Sequence, residues 1–97
     1  MNDLERVREV LQKHRKELEE MYHVKSIGVF GSFVRGEQKK GSDIDILVEF
    51  KKPIGFFKFL ELEEYLSNLL GIRVDLVSRK ALKPRIGKHI LREVVPA

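Results

Sequence analysis

The chain has 97 residues, of which 42% are hydrophobic and 35% are charged, and its formal net charge is +4 at pH 7. This length predicts a single domain, residues 1–97, with one modest hydrophobic core. The sequence contains no cysteine, which excludes disulfides and thiolate metal sites. No apolar stretch is long enough to cross a membrane and the N-terminus is too charged for a signal peptide, so we expect a cytoplasmic protein.

The first half of the chain predicts a long helix, a strand, a short helix and a second strand. Apolar residues recur at helical spacing over residues 3–22, with charges on the other faces. Residues 25–30 (KSIGVF) read as a strand; Ser32 then begins a short helix that Gly36 ends. After a polar loop, residues 43–50 (DIDILVEF) form the second predicted strand.

The second half predicts a helix, a strand and a closing helix. A long helix covers residues 54–70 and ends at Gly71, residues 72–78 (IRVDLVS) form a strand, and Pro84 begins a last helix at 84–94. The inward-facing candidates of the long helix are Phe57, Leu60, Leu66 and Leu69. The order α-β-α-β-α-β-α predicts an α/β (α+β) domain with a small mixed β-sheet and flanking helices. The long crossover allows the second and third strands to be parallel.

Carboxylates interrupt two of the predicted strands. Because strand residues alternate between faces, Asp43 and Asp45 point the same way, about 7 Å apart along the chain. Asp75 lies in the third strand and stands beside this pair if the two strands are neighbours. Converging carboxylates repel one another, and Mg²⁺, which prefers oxygen ligands, relieves that repulsion. Two such ions about 4 Å apart can hold the attacking and leaving oxygens of a phosphoryl-type displacement.

A purely structural interpretation of the acidic pair competes with the metal site. Isolated Asp-x-Asp pairs are common, and these side chains can simply face water. The Gly31–Ser32 pair, on the preceding strand–helix turn, favours the functional interpretation. Glycine lets the backbone approach a ligand closely, a helix N-terminus attracts phosphate, and the serine hydroxyl adds a donor. Neither a P-loop nor a dinucleotide-binding glycine pattern is present in the sequence.

The positive charge is concentrated near the end of the chain. Residues 79–97 carry six basic residues and one acidic residue, so this segment accounts for the whole positive excess. A solvated helix face and a surface for a polyanion or an acidic partner are equally compatible with this pattern.

The residues named above resemble a known family. Gly31–Ser32, ten intervening residues and Asp43-x-Asp45 match the signature of the DNA polymerase β-like nucleotidyltransferase superfamily. The segments GSFVRG and SDIDILVEF look most like its smallest members, the minimal nucleotidyltransferase (MNT) proteins. The resemblance runs over nearly the whole chain, including Asp75 in VDLV. It implies the nucleotidyltransferase fold and transfer of a nucleoside monophosphate from an NTP, with ATP expected, to a hydroxyl group.

The resemblance also implies roles for particular residues. Asp43 and Asp45 would bind both Mg²⁺ ions, and Asp75 would bind the catalytic one and help to deprotonate the acceptor. Gly31 and Ser32 would hold the triphosphate. A recurrent arginine after this pair matches Arg35, which could neutralise phosphate charge or simply be a solvated helix residue.

Many MNT proteins are paired with HEPN-domain RNase toxins, and the resemblance implies the same partner here. The chain would act as an antitoxin that attaches AMP to a tyrosine of the toxin, and its basic segment could bind nucleotide phosphates, RNA or the partner. Two alternatives remain open from the residues. The chain could sequester its partner without catalysis, or transfer a nucleotide to a small molecule such as an antibiotic.

Three phenylalanines near the start of the long helix, Phe56, Phe57 and Phe59, suggest core packing. All three cannot face inward, so one exposed ring could join a partner interface. His14 lies on the apolar stripe of the first helix and is interpreted as a partly buried structural residue. His23 and His89 show no metal-ligand spacing.

Overall fold

The computed structural model describes residues 2–97 and contains five α-helices and four strands within that range. The helices are α1 (Asp3–Lys13), α2 (Arg15–Tyr22), α3 (Ser32–Arg35), α4 (Phe56–Leu70) and α5 (Pro84–Glu93), with a 3₁₀ turn at Arg79–Ala81. The strands are β1 (Val24–Phe30), β2 (Ile44–Phe50), β3 (Val74–Ser78) and β4 (Val95–Pro96). The predicted mixed α/β architecture is therefore confirmed.

The four strands form one sheet in the order β3-β2-β1-β4. β1 runs antiparallel to both of its neighbours, whereas β2 and β3 are parallel, as the long α4 crossover predicts. The register places Asp45 beside Phe30 on one side and beside Asp75 on the other. The central strand β2 therefore places Asp45 next to Asp75 of β3 and next to the last residue of β1.

The hydrophobic core lies on one face of this sheet, under α1, α2 and α4. On β2 the alternate residues Ile44, Ile46 and Val48 are fully buried. The helices bury apolar stripes against them, made of Val7, Leu11, Leu18, Tyr22, Leu62, Leu66 and Leu70. The opposite face of β2 carries Asp45 and Glu49, which are only partly buried, with the buried Leu47 between them. The predicted alternation of this strand is confirmed, although its second face is only partly polar.

The predicted first helix is wrong in one respect, because residues 3–22 form two helices that meet at His14. The backbone N–H of this residue reaches the carbonyl oxygens of Val10 and Leu11, and its ring Nδ1 lies 2.9 Å from the Val10 oxygen. Ring and backbone thus share one acceptor at the residue that follows the end of α1. Asn2 caps α1, since its side chain accepts a hydrogen bond from the Glu5 N–H at 2.8 Å.

Two inward candidates of the long helix are also wrong. Phe57 is 84% exposed and Leu60 is 42% exposed. An α-helix turns about 100° per residue, and α4 buries the stripe through Leu62, Leu66 and Leu70. Residues 57 and 60 therefore lie roughly 140–200° away from the first residue of that stripe and face outward.

The fourth strand was not predicted, because two residues carry no alternation pattern. Val95 and Pro96 become a strand only by pairing with Val29 and Gly28 of β1. Within residues 2–97, every helix is too short or too polar to cross a membrane.

Candidate active site

The turn that follows β1 requires glycine for two reasons. Gly31 is buried and has φ 81°, a conformation that residues with a side chain rarely adopt. A Cβ atom at this position would lie 2.1 Å from Oδ2 of Asp45. The carbonyl oxygen of Gly31 accepts the N–H groups of Val34 and Arg35 at 3.0 and 3.3 Å, which starts the short helix α3. The backbone of this turn therefore lies directly against a carboxylate of β2.

Asp45 and Asp75 lie side by side on the parallel strands β2 and β3. Burial raises the pKa of the Asp45 carboxyl, and the nearby charges of Asp75 and Asp43 raise it further. The positive charge of Arg35 acts in the opposite direction and lowers the pKa of the Asp45 carboxyl. The fold thus holds a partly desolvated carboxylate beside two others.

Asp43 stands just before β2 and is exposed. Its Oδ1 lies 3.7 Å from Nε of Arg73, on the loop between α4 and β3. Within residues 2–97, no three Asp, Glu, His or Cys side chains are grouped in a geometry that could hold a metal ion. The structure therefore brings Asp45 and Asp75 together and places Asp43 at the edge of the same group. The three-carboxylate metal site itself stays a prediction.

The chemistry of these donors fits a hard divalent cation. Carboxylate oxygens are the ligands that Mg²⁺ prefers. Burial and the nearby charges of Asp75 and Asp43 raise the pKa of Asp45, and a bound cation would act in the opposite direction. The same residues would not suit a metal that prefers nitrogen or sulfur ligands.

Ser32 and Arg35 lie on α3, directly after the glycine turn. The Ser32 side chain is half-buried and does not cap the helix that it begins, which leaves its hydroxyl able to contact a ligand. The guanidinium of Arg35 pairs with the carboxylates of Glu37 and Glu93. Hydrogen bonds to Glu37 and then Glu93 raise the pKa of Arg35. The Arg35 side chain is 51% exposed, as the solvated alternative expects, and these two carboxylates orient its guanidinium.

Glu93, the last residue of α5, belongs to this group but was not identified from the sequence. Its Oε2 accepts the Gly31 N–H at 3.2 Å, and its other oxygen pairs with Arg35. A signal was available in the sequence, because this is the single acidic residue in the basic segment 79–97. The pairing of β4 with β1, which begins two residues later, fixes its position.

Comparison with known proteins identifies the family of this chain. The family described as "Nucleotidyltransferase domain" matches residues 11–95. A relative from Thermococcus cleftensis, named "Protein adenylyltransferase MntA", is 56% identical over 95 residues, which is 98% of this chain and 96% of the relative.

Solved structures share the fold over nearly all of this chain. One is a toxin–antitoxin crystal structure with AMP-PNP, which is 23% identical, has a TM-score of 0.72, and covers 99% of this chain and 72% of that one. Another is an MNT antitoxin in complex with a tri-AMPylated HEPN toxin of Shewanella oneidensis. It is 19% identical, has a TM-score of 0.62, and covers 97% of this chain and 67% of that one.

Proposed function

The chain belongs to the nucleotidyltransferase domain family, and from this membership we propose that it transfers AMP from ATP to a hydroxyl group and releases pyrophosphate. The acceptor is a tyrosine of a partner HEPN RNase toxin, which the chain inactivates as an antitoxin. We place this reaction in the cytoplasm as part of the same proposal. The observation that carries the proposal is the close approach of Gly31 to the Asp45 carboxylate, beside Asp75.

Each residue of the site has a definite part in this reaction. The backbone of Gly31 and the hydroxyl of Ser32 hold the triphosphate, and Arg35 neutralises part of its charge. The carboxylates of Asp43, Asp45 and Asp75 would hold two Mg²⁺ ions, which would supply charge stabilisation for the transfer. Asp75, the most exposed carboxylate of the sheet pair, faces the open side from which a protein hydroxyl can enter and accepts its proton.

Names of the relatives support a protein acceptor. The Thermococcus relative is named a protein adenylyltransferase, and one structural neighbour is described as bound to a tri-AMPylated HEPN toxin. In the present chain Asp75 is exposed on an outer strand, and Asp45 beside it is only partly buried. A side chain of another protein can therefore reach the carboxylates.

The direct test is label transfer from α-³²P-ATP to the purified HEPN-domain partner in the presence of Mg²⁺. Replacing Asp43 and Asp45 together by Asn should reduce labelling by at least about 100-fold, because the charge-stabilising ions lose two ligands. Chelating the metal with EDTA should have the same effect on the parent. A matched control removes two exposed carboxylates elsewhere, Glu20→Gln plus Glu64→Gln, and should label normally.

Equal labelling by the Asp43/Asp45 variant and the parent would refute the enzymatic proposal. Protection of cells from the partner is measured in parallel. If the variant protects fully without labelling, the chain acts by sequestration instead. If the parent labels a small molecule and never the protein, the acceptor is wrong.

A further inference from the structure

A large apolar groove lies at the outer edge of the sheet, between β3 and the start of α4. Its volume is about 530 Å³, and its apolar lining includes Phe50, Pro53, Ile54, Phe56, Leu76 and Val77. The active-site residues discussed above do not line it. No step of the proposed reaction uses this groove, so its function needs a separate explanation.

Two phenylalanines at the start of α4 are exposed beside the groove. Phe56 is 69% exposed and Phe57 is 84% exposed, and their rings pack edge to face at 5.7 Å. The core uses a different stripe of this helix, through Leu62, Leu66 and Leu70. Aromatic side chains bury about 150–250 Å² each when a partner covers them, and they dominate the energy of many interfaces. The core of the fold buries little of these two rings, so both are free to contact a partner.

The groove begins close to Asp75 on strand β3. Val77, which lines it, lies two residues beyond Asp75 on the same face of β3, about 7 Å along the strand. β3 is an edge strand of the sheet, but side chains of α4 already accept two of its outward N–H groups: Ser67 that of Val74 and Glu63 that of Leu76, both at 2.9 Å. A polypeptide bound here would therefore be held mainly by its side chains in the groove, with one side chain reaching Asp75.

The charges around the groove are positive. Lys52 and Lys80 line it, and neither forms an ion pair with another residue of the described chain. The one acidic residue of the lining, Glu49, is already paired with Arg79 at 3.4 Å. The groove therefore complements a segment that combines apolar and acidic side chains.

We propose that this groove binds an apolar, acidic segment of the protein acceptor and positions the acceptor hydroxyl at Asp75. The inference rests on the proposed function, because it assigns a docking surface to the same substrate. A protein fits better than RNA, since the lining is mainly apolar and holds only two free cations. A second copy of this chain would bring equal positive charges together, and a lone nucleotide would leave the exposed aromatic pair uncovered.

The test measures the dissociation constant for the HEPN-domain partner by isothermal titration calorimetry without nucleotide. Phe57→Ala should weaken binding at least tenfold, and Phe56→Ala plus Phe57→Ala should weaken it further. Met21→Ala is the control, since Met21 is also an exposed apolar residue (44%) and lies on another helix. Lys52→Glu plus Lys80→Glu should weaken binding and reduce its salt dependence. Lys16→Glu plus Lys25→Glu, with the same change of charge at exposed sites, should not.

The outcomes separate this inference from the proposed function. If the parent binds and labels the partner while the Phe57 variant binds it equally well, the groove is not the docking surface, and the enzymatic proposal stands. If the parent binds without labelling and the Phe57 variant loses binding, the docking surface stands and the transfer reaction fails. If the parent does not bind the partner at all, the docking surface is overturned.

Other occupants have their own signatures, and each would overturn the inference. Weakened binding of ATP in the Phe57 variant would make the groove a nucleotide subsite. Loss of a parent dimer in sedimentation would indicate a second copy. Loss of binding to a fluorescent single-stranded RNA would indicate nucleic acid. We expect ATP affinity, the sedimentation coefficient and circular dichroism of the variant to match those of the parent.

Discussion

Two neighbouring parts of the candidate site treat electric charge in opposite ways. At the glycine turn, the Gly31 N–H and the Arg35 guanidinium both find a partner in Glu93, so this part is internally compensated. At the carboxylate group, burial raises the pKa of Asp45, and the nearby charges of Asp75 and Asp43 raise it further. The turn finds its partners within the chain, whereas the carboxylate group would be stabilised by a bound cation. The contrast teaches that one part of a site can be preorganised while the adjoining part stores repulsion.

The largest effect is expected where the two parts touch, at Gly31. Gly31→Ala should reduce AMP transfer by about 100-fold or more, because its Cβ would collide with Asp45 Oδ2 and displace the carboxylate. Gly41→Ala is a matched control. Gly41 also has positive φ, at 86°, but a Cβ there meets nothing within 4 Å.

Both glycine variants should lose stability, about 1–3 kcal/mol each, from the strained backbone. Only Gly31→Ala should lose specific activity when both are assayed at temperatures where they remain folded. Equal losses of activity in the two variants would show that backbone strain, rather than the contact with Asp45, controls the site.

A smaller effect is expected from the compensated part. Glu93→Gln retains an acceptor for the Gly31 N–H but loses the charge that holds Arg35. We expect the KM for ATP to rise about five- to tenfold with less change in kcat, because a loosened guanidinium holds the triphosphate less well. Steady-state kinetics of label transfer at varied ATP measure this.

Glu37→Gln is the control for that experiment, since Glu37 also pairs with Arg35 but does not hold the Gly31 backbone. Its effect on KM should be the smaller of the two. Tighter ATP binding in Glu93→Gln would reverse the interpretation, since it would mean that Glu93 competes with the phosphates instead of positioning Arg35.

The smallest effect concerns stability at the uncompensated part. Asp45→Asn should raise the melting temperature by roughly 1–4 °C at pH 7 in metal-free buffer, since it removes a partly buried carboxylate from its repelling neighbours. The folded-state pKa of Asp45 lies above its ordinary value, so the parent loses stability as the pH rises through that range. The difference between variant and parent should therefore shrink towards pH 3, where the carboxyl is protonated in both states.

Differential scanning calorimetry across pH 3–7 measures this difference. Addition of Mg²⁺ should raise the melting temperature of the parent more than that of Asp45→Asn, because only the parent keeps the full carboxylate group. A lower melting temperature of the variant at pH 7 without metal would show that the Asp45 charge is stabilising, contrary to the contrast drawn above.

The sequence predicted much of the fold because β2 carries a clear pattern. The alternation of strand residues predicts the face on which Asp45 lies, and in the structure Ile44, Ile46 and Val48 are buried on the other face. The long crossover allows the parallel pairing that the structure shows, which sets Asp45 beside Asp75. Patterns of period two and connection lengths are local properties, so one sequence is sufficient to read them.

Features that depend on distant contacts were missed. The break at His14 falls inside a continuous pattern of apolar spacing over residues 3–22, which does not reveal it. The strand β4 exists only because it pairs with β1. Glu93 joins the site across 62 residues of chain. Its place as the single acidic residue of segment 79–97 was a signal, but that place does not identify the Gly31 N–H and Arg35 as its partners. The inward prediction for Phe57 is wrong because its apolar character alone does not fix its angular position on α4.

One strand, β3, links the proposed chemistry to the proposed docking. It bears Asp75 near its start and Val77 and Ser78 at the groove, with no flexible joint between them. The strand therefore keeps the groove at a fixed distance from Asp75. Selectivity would then follow from the distance between the acceptor tyrosine and the segment bound in the groove, and the residues flanking that tyrosine could vary freely. Several tyrosines on a short pliable tail could be modified in succession, provided that each reaches the same distance.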